Sequence, residues 1–177
     1  MPAAADVQPA VGERPYWARL WPTAEVVAAY IDRNPQLVTA KHCLELGAGV
    51  GLPSFTAARY AASVLATDLD PGSVAALQHT QKMGGYANVR VGQLNWNEPL
   101  PDAELLLLSD VNYDPALFEG LARTLHQQLA LGKTIVLGSP QRLVAKSFLL
   151  PFLPFCQLQE EGFAGDQAVT VFVLADL

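Results

Sequence analysis

The stretch Glu45-Leu46-Gly47-Ala48-Gly49-Val50-Gly51 constrains this chain more than any other, because it sets glycine at alternate positions between an apolar run and a helical pattern. The run before it, His42 to Leu46, reads as a strand; beyond it Pro53 leads into Phe55, Ala57, Ala58 and Tyr60 at helical spacing. Glycine takes positive φ without strain and, lacking a Cβ, lets the backbone approach a ligand where the first N–H groups of a helix are still unpaired. Such a turn favours an anion, and the carboxylate of a bound amino acid qualifies as well as a phosphate. The turn alone does not choose between them.

The strand, turn and helix unit then recurs. Val64 to Thr67 reads as a strand, Asp68 to Pro71 as a turn, and Val74, Leu77 and Gln81 as a helix running to Gly84 and Gly85. Val89 to Val91 is a weaker strand, whereas Leu105 to Leu108 is a continuous apolar run of the kind covered on both faces, which puts the centre of the sheet there. Leu117, Leu121, Leu125 and Leu129 fall four apart along a helix ended by Gly132, and Thr134 to Leu137 is the next strand. Upstream, Pro22 opens a helix carrying Val26, Val27, Tyr30 and Ile31, which Asn34 and Pro35 stop. Near the end, Pro151 and Pro154 break the chain before two strands, Phe155 to Gln159 and Val169 to Leu174. The fold class is α/β: a doubly wound, mostly parallel, Rossmann-like sheet of about seven strands with a C-terminal antiparallel hairpin. A length of 177 residues suits one domain, here residues 13–177, behind a flexible tail over residues 1–12.

Charge and cysteine usage narrow the function. Eleven basic against seventeen acidic side chains give a net charge of −6, with no basic stripe to neutralise phosphates, so a nucleic-acid substrate is disfavoured. No apolar run approaches the roughly 20 residues that cross a bilayer and the N-terminus lacks a basic segment followed by an apolar core, so the expected location is the cytoplasm. Cys43 and Cys156 sit apart in apolar segments, and His42, His79 and His126 are scattered, so no metal centre is expected.

In a doubly wound sheet, ligands bind beyond the carboxyl ends of the strands. Asp68 closes the second strand about 20 residues after the glycine turn, where an acid accepts hydrogen bonds from both hydroxyls of an adenosine ribose. Its alternative is a helix cap, but Asp70 before Pro71 is better placed for that. The third strand region ends in Asn95 and Trp96, an amide for the edge of an adenine and an indole for its face, although Trp96 equally suits a core. Beyond the fourth strand come Ser109, Asp110, Val111, Asn112 and Tyr113, a carboxylate and a phenol over the same sheet edge. Asp114 before Pro115 is the better cap there, which leaves Asp110 for chemistry.

These residues resemble the seven-stranded S-adenosylmethionine-dependent methyltransferases over nearly the whole chain after Gly12. Within that family the resemblance is nearest to the protein-lysine methyltransferases that include the enzyme acting on the electron-transfer flavoprotein β-subunit. Three segments carry it: Tyr16 to Pro22, Leu44 to Gly51, and Ser109 to Asp114. The resemblance implies S-adenosylmethionine as cofactor, with Glu45, Gly47, Ala48, Gly49 and Gly51 lining the methionine and ribose region and Asp68 with Leu69 holding the ribose. It puts Asn95 and Trp96 at the adenine, Ser109 at the strand end beside the cofactor, and Trp21 near the methionine end. Asp110 and Tyr113 match the family's D-x-x-Y element between cofactor and methyl acceptor. Asn95 stands where many relatives have an acid, Asn112 where an apolar residue is usual, and the Asn-rich run common after the second helix is missing. These departures bear on the acceptor more than on the cofactor.

The implied activity is methyl transfer to a protein lysine, with a small-molecule N- or O-methyltransferase as the alternative within the same class. Asp110 would orient the amine, and Tyr113 and Trp17 would wall its channel or simply pack. A nicotinamide-dependent oxidoreductase shares the sheet but wants G-x-G-x-x-G, and Leu52 stands at the last glycine's position. A non-catalytic cofactor-binding module is the remaining class.

Overall fold

In the computed structural model, which describes residues 15–176, the runs read as strands pair into one sheet. The tail expected over residues 1–12 lies outside the described residues. In chain order the elements are α1 (Pro22–Arg33), β1 (His42–Leu46), α2 (Leu52–Ala57), β2 (Ser63–Asp68), α3 (Pro71–Met83), β3 (Val89–Gln93), β4 (Leu105–Ser109), α4 (Pro115–Ala130), β5 (Thr134–Pro140), α5 (Leu143–Leu149), β6 (Cys156–Ala164) and β7 (Gln167–Leu174). The sheet order is β3-β2-β1-β4-β5-β7-β6, with β7 antiparallel to both β5 and β6 and every other pair parallel.

β4 is the central strand, as its unbroken leucines require. Alternate side chains of a strand face opposite ways, so Leu105 and Leu107 enter the core beneath α1, α2 and α3, while Leu106 and Leu108 enter the core beneath α4 and α5. All four are fully buried, each worth about 1.5–3 kcal/mol of transfer free energy. The caps fall where the sequence puts them. Asp70 accepts from the Gly72 and Ser73 N–H groups at 2.7 and 3.3 Å, and Asp114 from the Ala116 N–H at 2.9 Å, which leaves neither Asp68 nor Asp110 as a cap.

Two glycines bring α1 close to the sheet. A side chain at Gly138 of β5 would run into Val27, and one at Gly162 of β6 would lie 2.6 Å from Val26 Cγ1. Thr23, in the first turn of α1, is thereby set beside the carboxyl end of β5.

Residues 143–149, to which the sequence pattern assigns no element, form α5; the α-helix stops ahead of Pro151, and Leu150–Phe155 follow as a 3-10 helix. Proline tolerates the first turn of a helix, and the buried side chains of Phe148 and Phe152 hold this segment against the core behind β4 and β5.

Candidate functional site

From the end of β1 the chain turns through Gly47, Gly49 and Gly51 at φ of 66, 55 and 78°. Glycine is required at two of these for separate reasons. A Cβ on Gly51 would collide with Leu77 and approach Phe55 to 2.9 Å, so this residue packs α2 and α3 together; one on Gly49 would lie 3.3 Å from the Trp17 carbonyl, on the open side of the turn. Asp68, at the end of β2, is anchored by this turn: its Oδ2 accepts the Gly49 N–H at 2.8 Å and its Oδ1 the Asp70 N–H at 3.0 Å. An ionised carboxylate has lone pairs beyond those two bonds for a further donor.

Glu45 lies fully buried beneath the turn rather than on its open side. Its Oε2 accepts from the Ser54 N–H at 3.0 Å and the Ser54 hydroxyl at 2.5 Å, while Oε1 is buried without a partner. Burial pushes its carboxyl up to about 8, against the two Ser54 bonds that pull it down. The free N–H groups expected at the start of α2 are thus partly spent, since the Ser54 N–H is held by Glu45 in a helix of only six residues. Ala48 is buried within the turn, and its N–H bonds the Thr67 carbonyl at 2.9 Å.

Around the turn, Leu69 is 59% exposed directly after Asp68. Trp96 is both of the things its sequence allowed: its ring packs on the core beside α4, yet a Cβ on Gly47 would come within 3.6 Å of it and 3.1 Å of Val111. Asn95 Oδ1 accepts the Asn97 N–H at 3.0 Å, fixing the loop after β3. A 3-10 helix, Tyr16–Ala18, lies over this side; the Trp17 ring is so close to Gly72 that a Cβ there would stand 2.8 Å from Cζ2.

The neighbouring strand end is organised by side chains. Ser109 ends β4, and Asp110 follows with φ of 55°, a left-handed conformation that aspartate tolerates better than most residues and that concentrates at functional sites. Its side chain is 2% exposed and paired in a fork with Arg142, Oδ1 to Nη1 at 3.1 Å and Oδ2 to Nη2 at 3.2 Å. Burial raises the Asp110 carboxyl above its ordinary value, opposed by Arg142 and by the Thr23 hydroxyl. Tyr113 is 39% exposed and its ring lies 5.0 Å from that of Tyr16, which lies 4.4 Å from Trp21. The Trp21 indole N–H donates to the Tyr16 carbonyl at 3.2 Å, and the Arg142 charge acts on the Tyr16 phenol. Burial, then Asp110 and Tyr113, push that phenol up to about 12. Behind it the Asn112 amide donates to the Ser139 hydroxyl at 2.9 Å, while the Asn112 Oδ1 is buried and unpartnered. Arg142 also lines a cavity of about 430 Å³ with Gln141 and with Asp166 from the β6–β7 turn.

The structure therefore gathers Trp21, the glycine turn, Asp68, Leu69, Asn95, Trp96, Ser109, Asp110 and Tyr113 along one edge of the sheet, with Glu45 below it. Tyr16 and Trp17 exchange the part expected of one of them: Tyr16 meets Tyr113, and Trp17 covers the glycine turn. Arg142, Tyr16 and Thr23 were not picked out as site residues from sequence. Their signal was available for Arg142, which follows the end of β5 just as Asp110 follows β4. Among the described residues no group of three His, Cys, Asp or Glu side chains is placed to hold a metal ion, and no helix is long and apolar enough to cross a membrane.

Comparison with known proteins bears on this arrangement. The chain is 33% identical over 135 residues to the electron transfer flavoprotein beta subunit lysine methyltransferase of Danio rerio, covering 72% of this chain and 51% of that protein. It is 36% identical over 154 residues to the protein N-terminal and lysine N-methyltransferase efm7 of Schizosaccharomyces pombe, covering 76% of this chain and 56% of that protein. The chain thus spans about half the length of the curated relatives it matches. Among solved structures, TrmN from Thermus thermophilus superposes with a TM-score of 0.70 at 21% identity, over 86% of this chain and 48% of that one. The magnesium protoporphyrin IX methyltransferase of Synechocystis PCC 6803, solved with bound SAM, gives 0.64 at 17% identity, over 87% of this chain and 78% of that one. These two likenesses show that the chain shares the overall fold of those structures. A family model described as lysine methyltransferase matches residues 11–152, from the segment covering the glycine turn through α5, and the chain belongs to that lysine methyltransferase family.

Proposed function

We propose that residues 13–177 act as one S-adenosylmethionine-dependent methyltransferase unit whose acceptor is a lysine amine of a protein. The observation that carries this reading is the juxtaposition, at one sheet edge, of a glycine turn anchored on Asp68 with a buried, oriented carboxylate at Asp110. The residues present fit the cofactor. Asp68 keeps acceptor capacity for a ribose diol, and Leu69 offers exposed apolar surface to a base. A side chain at Gly49 would fill the space between the turn and Trp17.

S-adenosylmethionine, when bound, supplies a methyl group on a sulfonium, which leaves with its C–S electron pair going to sulfur as the acceptor nitrogen's lone pair forms the new N–C bond. The chain's own part is alignment and shelter. Tyr113, Tyr16 and Trp21 form an aromatic wall whose ring faces favour a developing cation. Asp110 is held where it orients the amine. A lysine with a solution pKa of about 10.4 must lose its proton before attack, which burial among these rings assists. The names of the relatives, which specify lysine and N-terminal amines of proteins, support a protein amine as acceptor. A net charge of −6 supports a basic partner over a nucleic acid. The free thiols of Cys43 and Cys156 support a reducing, cytoplasmic site of action, which cell fractionation checks.

The test is incubation of the purified protein with a cell lysate and methyl-tritiated S-adenosylmethionine, followed by gel analysis and acid hydrolysis of labelled bands. Label recovered as methyl-lysine supports the reading. Label confined to small molecules assigns a small-molecule acceptor, and absence of all label despite cofactor binding assigns a non-catalytic module.

A further inference from the structure

Asp110 and Arg142 sit on different segments, after β4 and after β5, and Tyr16 comes from a third, ahead of α1. All three meet at one point. The guanidinium uses two N–H groups on the two oxygens of Asp110, which fixes both the position and the plane of that carboxylate, and its charge also acts on the nearby Tyr16 phenol. Its own side chain is 36% exposed and borders the cavity shared with Asp166, so it stands between that cavity and the buried carboxylate.

We propose that Arg142 is the positioning residue for methyl transfer: it locks the Asp110 carboxylate in one orientation and balances its charge so that the acceptor nitrogen is received as a neutral amine. The proposal rests on the reading of Asp110 as the group facing the acceptor. A carboxylate with no counter-charge at this spot would hold an ammonium as its ion-pair partner and so keep the nitrogen protonated and unreactive. With Arg142 already paired to Asp110, the carboxylate orients an N–H without demanding a cation. The charged and titratable groups that face Asp110 are Arg142 from the segment after β5, Tyr16 from the N-terminal segment and Tyr113 from its own loop, with Asp68 and Asp114 acting on Tyr113. Arg142 is the only cation among those groups, so its removal leaves nothing to balance the carboxylate.

The experiment compares the wild-type chain with Arg142→Met and Arg142→Lys. Calorimetry measures binding of S-adenosylhomocysteine, and tritium incorporation into lysate protein at saturating S-adenosylmethionine is followed from pH 6 to pH 10. Arg142→Met is expected to bind S-adenosylhomocysteine within about twofold of wild type, to lose on the order of tenfold to a hundredfold in turnover, and to shift its pH–rate profile upward by about one unit. Arg142→Lys restores the charge but not the fork, so it keeps the wild-type pH profile with turnover still reduced. Because the lysine variant is the conservative one, it keeps the test valid if the methionine variant fails to fold. A wild-type pH profile and turnover in Arg142→Met overturn the proposal, as does a lysine variant whose profile shifts upward or whose turnover equals wild type. A parallel loss of S-adenosylhomocysteine binding in a variant that is folded, as checked by circular dichroism and thermal unfolding, also overturns it. Absence of incorporation by the wild type is a different failure, that of the methyltransferase reading itself.

Discussion

The two halves of the site edge are built by different means. On the β1–β2 side the backbone does the shaping: a turn of alternate glycines, an acid anchored by main-chain N–H groups, and a helix capped by Asp70. On the β4–β5 side the shaping is done by side chains from separate segments, with Asp110 and Arg142 paired in a fork and the Tyr16 ring packed on Tyr113. Each half also contains one buried carboxyl, and the two are handled differently. Glu45 has no cation and is braced by Ser54, whereas Asp110 has Arg142. Burial raises both carboxyls; only at Asp110 does a charge-assisted fork oppose it and fix the direction of the group. The first arrangement suits a rigid floor, the second a group that works.

The contrast makes separable predictions. Gly51→Val should have the largest effect, because it combines a positive φ with a collision against Leu77 and Phe55; loss of S-adenosylhomocysteine binding by more than about a hundredfold, with a lowered melting temperature, is expected from calorimetry and thermal unfolding. Asp110→Asn should act on the other half alone. Turnover falls on the order of a hundredfold while S-adenosylhomocysteine binding stays within about threefold, and an equal loss of both would erase the division between halves.

Glu45→Gln should have a smaller effect, read in the pH dependence of stability. The folded-state carboxyl is raised to about 8, so between its unfolded value near 4.5 and about pH 8 the folded chain holds a proton that the unfolded chain has released. Stability is therefore fully present below the unfolded value and declines as pH rises to about 8. Wild type should lose on the order of a few kcal/mol over that window, and Glu45→Gln should be flatter, in denaturant titrations at pH 5 and pH 8. A wild-type curve that rises over this range would mean that Glu45 is ionised in the fold.

The same contrast explains what the sequence makes legible. The order of strands and helices, the central position of the Leu105 to Leu108 strand and the caps at Asp70 and Asp114 follow from local patterns, because turn, cap and periodicity are short-range properties, whereas the Asp68 bond to the Gly49 N–H joins residues 19 apart. The Asp110–Arg142 fork joins residues 32 apart, and the Tyr16 contact comes from still further away, so no local pattern records them. Glu45 shows a second kind of limit. Its position in the motif is plain, but only packing decides that its carboxyl points into the floor and bonds Ser54. The helix over residues 143–149 was missed because Pro151 and Pro154 were weighed as breakers, while the Phe148 and Phe152 contacts that hold the segment are tertiary.

The central claim is that one half of this edge binds S-adenosylmethionine and the other half acts on the acceptor. Calorimetric titration of the full chain with S-adenosylhomocysteine, for wild type, Asp68→Asn and Asp110→Asn, with NAD as control ligand, tests it most directly. The account predicts one saturable site for S-adenosylhomocysteine and none for NAD, binding weakened at least about tenfold by Asp68→Asn, and near-wild-type binding in Asp110→Asn. Folded wild-type protein that takes up no S-adenosylhomocysteine, or that loses it equally in both variants, would contradict the account.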